Sequence, residues 1–427
     1  MARCLIIGGG LAGLSTAVYL SKAGHQIELI EATNRLGGRT FSFFDEETQT
    51  EIDNGQHILM GAYTHTLDLI EPLETKHLLD YQKNLNAVFY KKKNKRYTLD
   101  ASKYFYPFNL LAAIWNYDAL STKEKINFIK FVGSLIFINS KKLKKISILD
   151  WLKSSGQSEN SIKSFWEILA VGALNTSLED GSAFLFFNML KQIFYSGNKA
   201  STIIIPNAGL SKTFIEPILN YLQKTTFEFS LSEKVEKINI ENNLAKEIIT
   251  NKRRITEFDN VILTIPLYNL INIACPFDLY NKENINWETS SIISITLWLT
   301  ENRIKDNFFA LINSPVQWVF NHNKYYVLVI SDANMFNDIS NEEIVEFCIK
   351  ELESYNSNFD RNFVFKSKVL KQKKATIKST PQFEKFRENL ISPIENIFFA
   401  GDWTNTQLPQ TIESAIKSGY EISKKIQ

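Results

Sequence analysis

Cysteine is scarce and scattered: Cys4, Cys275 and Cys348 are the only three, with no Cys-x-x-Cys and no ladder spacing among them. That excludes a disulfide-stapled scaffold and fits a reducing compartment, so a cytoplasmic location is expected. The five histidines, His25, His57, His65, His77 and His322, show no His-Glu-x-x-His and no paired ligand spacing; no metal is expected. An excess of one charge is also missing. Lysine and arginine number 48 against 46 acids, a formal charge of +2, which leaves no electrostatic footprint for nucleic acid. Nothing reads as a membrane-spanning helix. The uncharged stretch Cys4 to Ser21 superficially resembles a secretory signal, but Gly8, Gly9, Gly10 and Gly13 are poor in an apolar h-region and apt in a phosphate-binding turn. It reads as structure.

What is present is aromatic: 31 Phe, 16 Tyr and 7 Trp make 13% of 427 residues. With 44% hydrophobic and 22% charged residues the chain is a folded globular protein, long enough for two or three domains. A large core or an apolar cavity would each use so many rings, and composition does not choose between them.

The order of residues is more telling. Arg3 to Ile7 is a short apolar run, Gly8-Gly-Gly-Leu-Ala-Gly13 follows, Leu14 to Ala23 has helical character, and Gln26 to Glu31 is a second strand ending in an acid. This is the strand, tight turn, helix and strand of a dinucleotide-binding unit. Gly8, Gly10 and Gly13 let the backbone turn, approach a pyrophosphate and pack helix on strand, while Glu31 is placed to bind a ribose diol. Arg35, Gly37, Gly38 and Arg39 follow at once and suit the same anion. No second fingerprint appears later, so one dinucleotide is expected, with electrons arriving from an external donor.

Further along, Tyr104 to Leu190 reads as a helical block, with capping-box spacing at Ser121 and Glu124. Ser201 to Pro206, Phe227 to Ile238 and Val261 to Ile265 read as strands, and Ser211 to Lys224 as a helix. Ile293 to Thr300 alternates with the period of a half-buried strand, and Phe308 to Ile312, Gln317 to Asn321 and Tyr325 to Ser331 follow at hairpin spacing; together they predict an antiparallel sheet. Ser340 and Glu343 predict a second capped helix. A strand near Phe399 and a helix from Thr411 suggest that the two chain ends build one domain.

Taken together, Gly8 to Gly13, Glu31, Arg35 to Arg39 and Phe399-Ala-Gly401-Asp402 through Thr411-Ile412-Glu413 resemble the FAD-dependent amine oxidase and phytoene desaturase superfamily. Asp53-Asn54-Gly55-Gln56-His57 and the Gly401 to Glu413 motif are similar to its squalene-associated desaturase-like branch, the hydroxysqualene dehydroxylases. The resemblance implies an α/β fold (α+β mixed): a Rossmann-type FAD-binding domain from residues 1–85, 201–272 and 389–427, and a discontinuous substrate domain from a helical part, 86–200, and an antiparallel-sheet part, 273–388. It implies FAD held by Gly8, Gly10, Gly13, Glu31, Arg35, Gly38, Arg39, Gly55, Val235, Gly401, Asp402, Thr411 and Ile412. A helix starting near Thr411 would aim its amides at the charge of reduced flavin. The implied reaction is reductive dehydroxylation of hydroxysqualene to squalene, with Gln56 and His57 beside a long apolar isoprenoid. His57 has two open readings, proton transfer or orientation of its loop. An isoprenoid desaturase, an amine oxidase and a non-enzymatic prenyl-lipid carrier are the rivals. The basic runs Lys91 to Arg96 and Lys141 to Lys145 are expected on solvated loops, the alternative being that they flank a peripheral docking surface on an anionic membrane.

Overall fold

A computed structural model describes residues 1–275 and 287–426; residues 276–286 of the segment 273–388 lie outside the described residues. Short apolar runs with no polar face suit a parallel sheet covered on both sides, and the runs near the two chain ends are found in one. Five parallel strands lie in the order Phe227–Ser230, Gln26–Ile30, Arg3–Ile7, Asn260–Leu263 and Ile397–Phe399. Strands from near both chain ends and the middle are therefore neighbours. The helix Leu11–Lys22 packs on the last helix, Ile412–Lys425, so closely that a Cβ on Gly419 would stand 2.5 Å from Ser15 Oγ.

The run Phe227 to Ile238 is two strands, not one. Ser232 takes a left-handed conformation (φ 52°), and the chain leaves the parallel sheet after Ser230 to start a separate antiparallel sheet at Val235–Glu241.

A seven-stranded sheet forms the second layer, in the order Val364–Ile377, Thr289–Leu299, Tyr325–Ser331, Trp318–Asn321, Phe308–Leu311, Asn86–Lys91 and Lys95–Asp100. The four expected runs occur as strands and pair antiparallel where they meet, but Thr289–Leu299 is not half-buried, since Ser294, Thr296 and Trp298 on its second face are buried as well. Two additions were not expected. Val364–Ile377, with five lysines, is an edge strand along Thr289–Leu299, and edge lysines discourage pairing with a further chain. Residues 86–100 are a hairpin rather than helix; Lys93 and Asn94 at its turn both have positive φ, 68° and 56°, as a type I′ turn requires. The helical segment proper starts at Phe108–Trp115.

Both capping boxes form, Ser121 with Glu124 and Ser340 with Glu343. Most of the phenylalanine excess of the helical segment is core: Phe128 stacks on Trp166 with centroids 4.3 Å apart, and Phe131, Phe165 and Phe186 complete a buried ring cluster around it. Among the described residues no helix is long and apolar enough to cross a membrane.

Candidate active site

Strand Arg3–Ile7 ends at Gly8, whose φ of 114° suits glycine. The chain turns and enters helix Leu11–Lys22, whose N-terminus carries no side-chain cap. A Cβ on Gly13 would lie 2.0 Å from Gly8 O, whereas one on Gly10 would meet nothing within 4 Å. Gly13 therefore serves helix-on-strand packing, and Gly10 keeps open the space before the helix amides. That space belongs to a cavity of about 660 Å³. First-turn amides with a positive dipole end and no side-chain cap are an anion site.

Glu31 stands beside this turn. Its Oε2 accepts from Gly9 N at 2.7 Å and its Oε1 from Thr33 N and Oγ1, both at 2.8 Å. Gly37 N donates to Gly9 O at 2.8 Å, laying the second pair of glycines against the first. Arg39 lines the cavity and spans two segments, donating to Asp402 Oδ2 at 2.8 Å and to Ala375 O at 2.5 Å. Burial would lower its pKa, but Asp402 outweighs this and the net direction is upward. Arg35 lies outside: its guanidinium covers the Phe41 ring at 3.4 Å and donates to Gly38 O at 3.1 Å. Gly13 and Arg35 are thus the two proposed cofactor residues that do not line the cavity; Gly8, Gly10, Glu31, Gly38, Arg39, Gly55, Val235, Gly401, Asp402, Thr411 and Ile412 do.

Two lining residues beside Val235 were missed, Glu233 and Lys234. Glu233 is fixed by Arg253 Nε and Thr250 Oγ1, both at 2.9 Å, and a strand-end Glu-Lys pair gives no signal in sequence.

On the opposite wall, the loop from Gly401 to Thr411 leads into helix Ile412–Lys425, capped by Thr411. Two buried residues hold it, and neither was foreseen. The Arg387 side chain, 0% exposed, pairs with Glu384 at 2.7 Å and donates to Thr404 O at 2.8 Å, Leu408 O at 3.1 Å and Thr406 Oγ1 at 3.1 Å. Gln410 bonds the Ile377 backbone in both directions, accepting at 2.9 Å and donating at 2.7 Å. Glu413, though within the motif, faces away and caps another helix, accepting from His65 N, Thr66 N and Thr66 Oγ1 at 3.0, 2.8 and 2.7 Å.

The far end of the cavity changes character. Ile58, Ile292, Trp318, Phe320 and Val329 line it, with Phe320 its only phenylalanine among the described residues. Trp318 stacks on Phe308, centroids 5.0 Å apart, and Gly172 makes room for it, since a Cβ there would stand 2.7 Å from Trp318 Nε1. Gln56 and His57 also line the cavity. Gln56 Oε1 lies 3.0 Å from His322 Nε2, and the His322 ring stacks on Tyr325 at 4.7 Å. With the amide oxygen accepting, His322 is the neutral Nε2-protonated tautomer, and Gln56 retains its NH₂ as a donor. His322 was passed over in sequence because nothing near it in the chain carries chemistry.

Both histidines are held neutral. Burial, aided by Arg39, lowers His57 to about 4, and burial lowers His322 to about 4. The ordinary value is about 6.5, so between 6.5 and 4 the unfolded chain binds more protons and stability falls as pH falls. The loss reaches about 3 kcal/mol per histidine. Asp53, raised to about 6 by burial, acts in the opposite sense, so a variant comparison is needed. His322→Gln does not titrate and should flatten the fall in urea-unfolding free energy between pH 7 and pH 5; the same slope in wild type and variant would contradict this.

The donor set suits FAD: an open glycine turn at a helix N-terminus, a fixed acid beside it, and a second helix N-terminus at Thr411 across the cavity. Among the described residues no group of three or more His, Cys, Asp or Glu could hold a metal.

Known proteins share this fold. Residues 11–427 match the flavin containing amine oxidoreductase family. The hydroxysqualene dehydroxylase of Zymomonas mobilis is 25% identical over 426 residues, covering 97% of this chain and 96% of its own. The zeta-carotene desaturase of Synechocystis is 25% identical over 480 residues, covering 99% and 97%. Putrescine oxidase, solved with putrescine bound, superposes with a TM-score of 0.76 at 15% identity, covering 100% and 98%, a likeness of fold alone. The chain belongs to the flavin containing amine oxidoreductase family and is an FAD-dependent oxidoreductase.

Proposed function

We propose that this enzyme reductively dehydroxylates hydroxysqualene to squalene. The observation that carries the reading is the meeting, in one cavity, of the apolar wall Ile58, Ile292, Trp318, Phe320 and Val329 with the polar edge Gln56 and His57. A long hydrocarbon bearing one hydroxyl fits both parts.

When bound, reduced flavin supplies a hydride. Replacing the hydroxyl by hydrogen would take that hydride together with one proton drawn from solvent, and would release water. Gln56 NH₂ and the neutral His57 imidazole donate hydrogen bonds to the departing oxygen; with its pKa lowered to about 4, His57 is not a ready-made imidazolium at neutral pH. It polarises the C–O bond rather than carrying a stored proton. Trp318 and Phe320 give aromatic surface to an allylic cation, and the apolar wall keeps water from it. Arg39 and Asp402 orient the cofactor end, and electrons come from an external donor.

His57→Ala should retain flavin and lose turnover by about 10²-fold, scored as squalene formed per bound flavin; full turnover would reject the role. A second reading, isoprenoid desaturation, is favoured by the equal 25% identity to the zeta-carotene desaturase. Incubating the reduced protein with hydroxysqualene, and the oxidised protein with phytoene, zeta-carotene and amines, separates these chemistries by product.

A further inference from the structure

The helical segment turns one aromatic face outward. On helix Phe108–Trp115, Phe108, Leu111 and Trp115 recur at spacings of three and four and are 54%, 37% and 50% exposed, so they share one face. Tyr104 and Phe105, each 73% exposed, precede it, and Phe105 packs edge-on against Phe108 at 5.4 Å. Phe137, 86% exposed, follows helix Thr122–Ser134. The end of helix Ala183–Tyr195 joins these turns: Tyr106 Oη donates to Phe194 O at 2.9 Å, and Tyr195 Oη donates to Val132 O at 2.6 Å. Isolated exposed apolar residues are ordinary, whereas a contiguous set marks an interaction surface.

The same stretch of chain is basic. Between residues 102 and 146 stand eight lysines and only two acids, Asp118 and Glu124, a local charge of +6 in a chain whose total is +2. Both acids are engaged, Asp118 by Lys125 at 2.9 Å and Glu124 in the capping box with Ser121. Lys103, Lys130, Lys141, Lys142 and Lys145 are exposed. Ion pairs occur in both basic runs: Lys92 pairs with Glu351 at 3.0 Å and Arg96 with Asp306 at 2.7 Å at the hairpin, and Lys144 pairs with Glu388 here.

We propose that this face docks on an anionic lipid bilayer, its aromatic side chains entering the headgroup boundary and its lysines facing the lipid charge. Aromatic rings with one polar handle and lysines that reach outward are the chemistry of that interface, and each lysine near an anionic surface adds attraction. A second copy of the chain is a poor occupant, because it would bring two such positive faces together. The contact is peripheral, since the helices concerned are too short to span. It does not depend on the proposed reaction, because binding is scored without turnover.

The test is flotation of the FAD-loaded full chain with vesicles of phosphatidylcholine alone and of phosphatidylcholine mixed with phosphatidylglycerol. Binding to the mixed vesicles, weakened by salt, is expected. Lys141→Gln with Lys142→Gln should weaken it roughly 30-fold, and Phe105→Ser with Phe137→Ser at least about tenfold. All four positions are exposed, and flavin absorbance checks the fold; should the phenylalanine pair misfold, the lysine pair decides alone. Wild type failing to float with the mixed vesicles, the lysine pair binding as wild type, or the face instead driving concentration-dependent dimers would each overturn the proposal.

Discussion

Arg387→Met is expected to lower the unfolding free energy by about 3–5 kcal/mol, the usual consequence of breaking a buried ion pair from one side. Arg387 is fully enclosed, and Glu384 is 3% exposed. Burial already pushes the Glu384 pKa upward while Arg387 pulls it down, so the lone acid left behind would take up a proton instead of staying charged. The loop loses more than charge. Arg387 donates to Thr404 O, Thr406 Oγ1 and Leu408 O, which brace the turn after Asp402 and before the helix cap Thr411. FAD affinity should therefore fall with stability. Arg387→Met combined with Glu384→Gln should recover part of the loss, because no unpaired acid remains. Urea unfolding of the holoenzyme measures each case; a single-variant loss under about 1 kcal/mol, the range of an exposed pair, would contradict the reading.

Gly10→Leu carries the largest effect on the cofactor. The position has ordinary backbone torsions, φ −76° and ψ 179°, and a Cβ there meets nothing within 4 Å, so the protein should fold. The side chain would then fill the space before the helix amides. FAD affinity is expected to fall at least about a hundredfold, roughly 3 kcal/mol, and the purified protein to be colourless with a wild-type circular dichroism spectrum. Gly13→Ala is the contrasting control, since its Cβ would lie 2.0 Å from Gly8 O and the fold itself should suffer. A yellow Gly10→Leu protein with full flavin content would show that the cofactor does not use this turn.

The parts of the molecule legible in sequence are those where a few adjacent residues must do one thing. Three glycines and an acid make a nucleotide turn, a serine and a glutamate three apart make a helix start, and strict alternation makes a strand, although the burial of its second face, Ser294, Thr296 and Trp298, was not legible. What was not legible depends on partners far away in the chain. Val364–Ile377 is a strand because Thr289–Leu299 offers it an edge, and its lysines hide the alternation. Strand Phe308–Leu311 pairs in parallel with Asn86–Lys91, a match that no local pattern encodes. Arg387 sits in Gln-Phe-Glu-Lys-Phe-Arg-Glu, which reads as a solvated helix face until the loop it braces is known. His322 gains its significance from Gln56, 266 positions earlier. The aromatic excess is the instructive case: within the helical segment most of the rings are core, the cavity takes Phe320 with Trp318, Trp403, Tyr63 and Tyr268, and a further share lies exposed on the helical segment.

The central claim, that an apolar alcohol is reduced in this cavity, is tested most directly by a single turnover. Reduced protein is mixed with hydroxysqualene without oxygen while flavin absorbance is followed, and the lipid is then extracted and analysed. Return of oxidised flavin absorbance with one squalene formed per flavin is the expected result. Flavin that stays reduced in the presence of hydroxysqualene, in a protein whose oxidised form is bleached by zeta-carotene or an amine, would contradict the account.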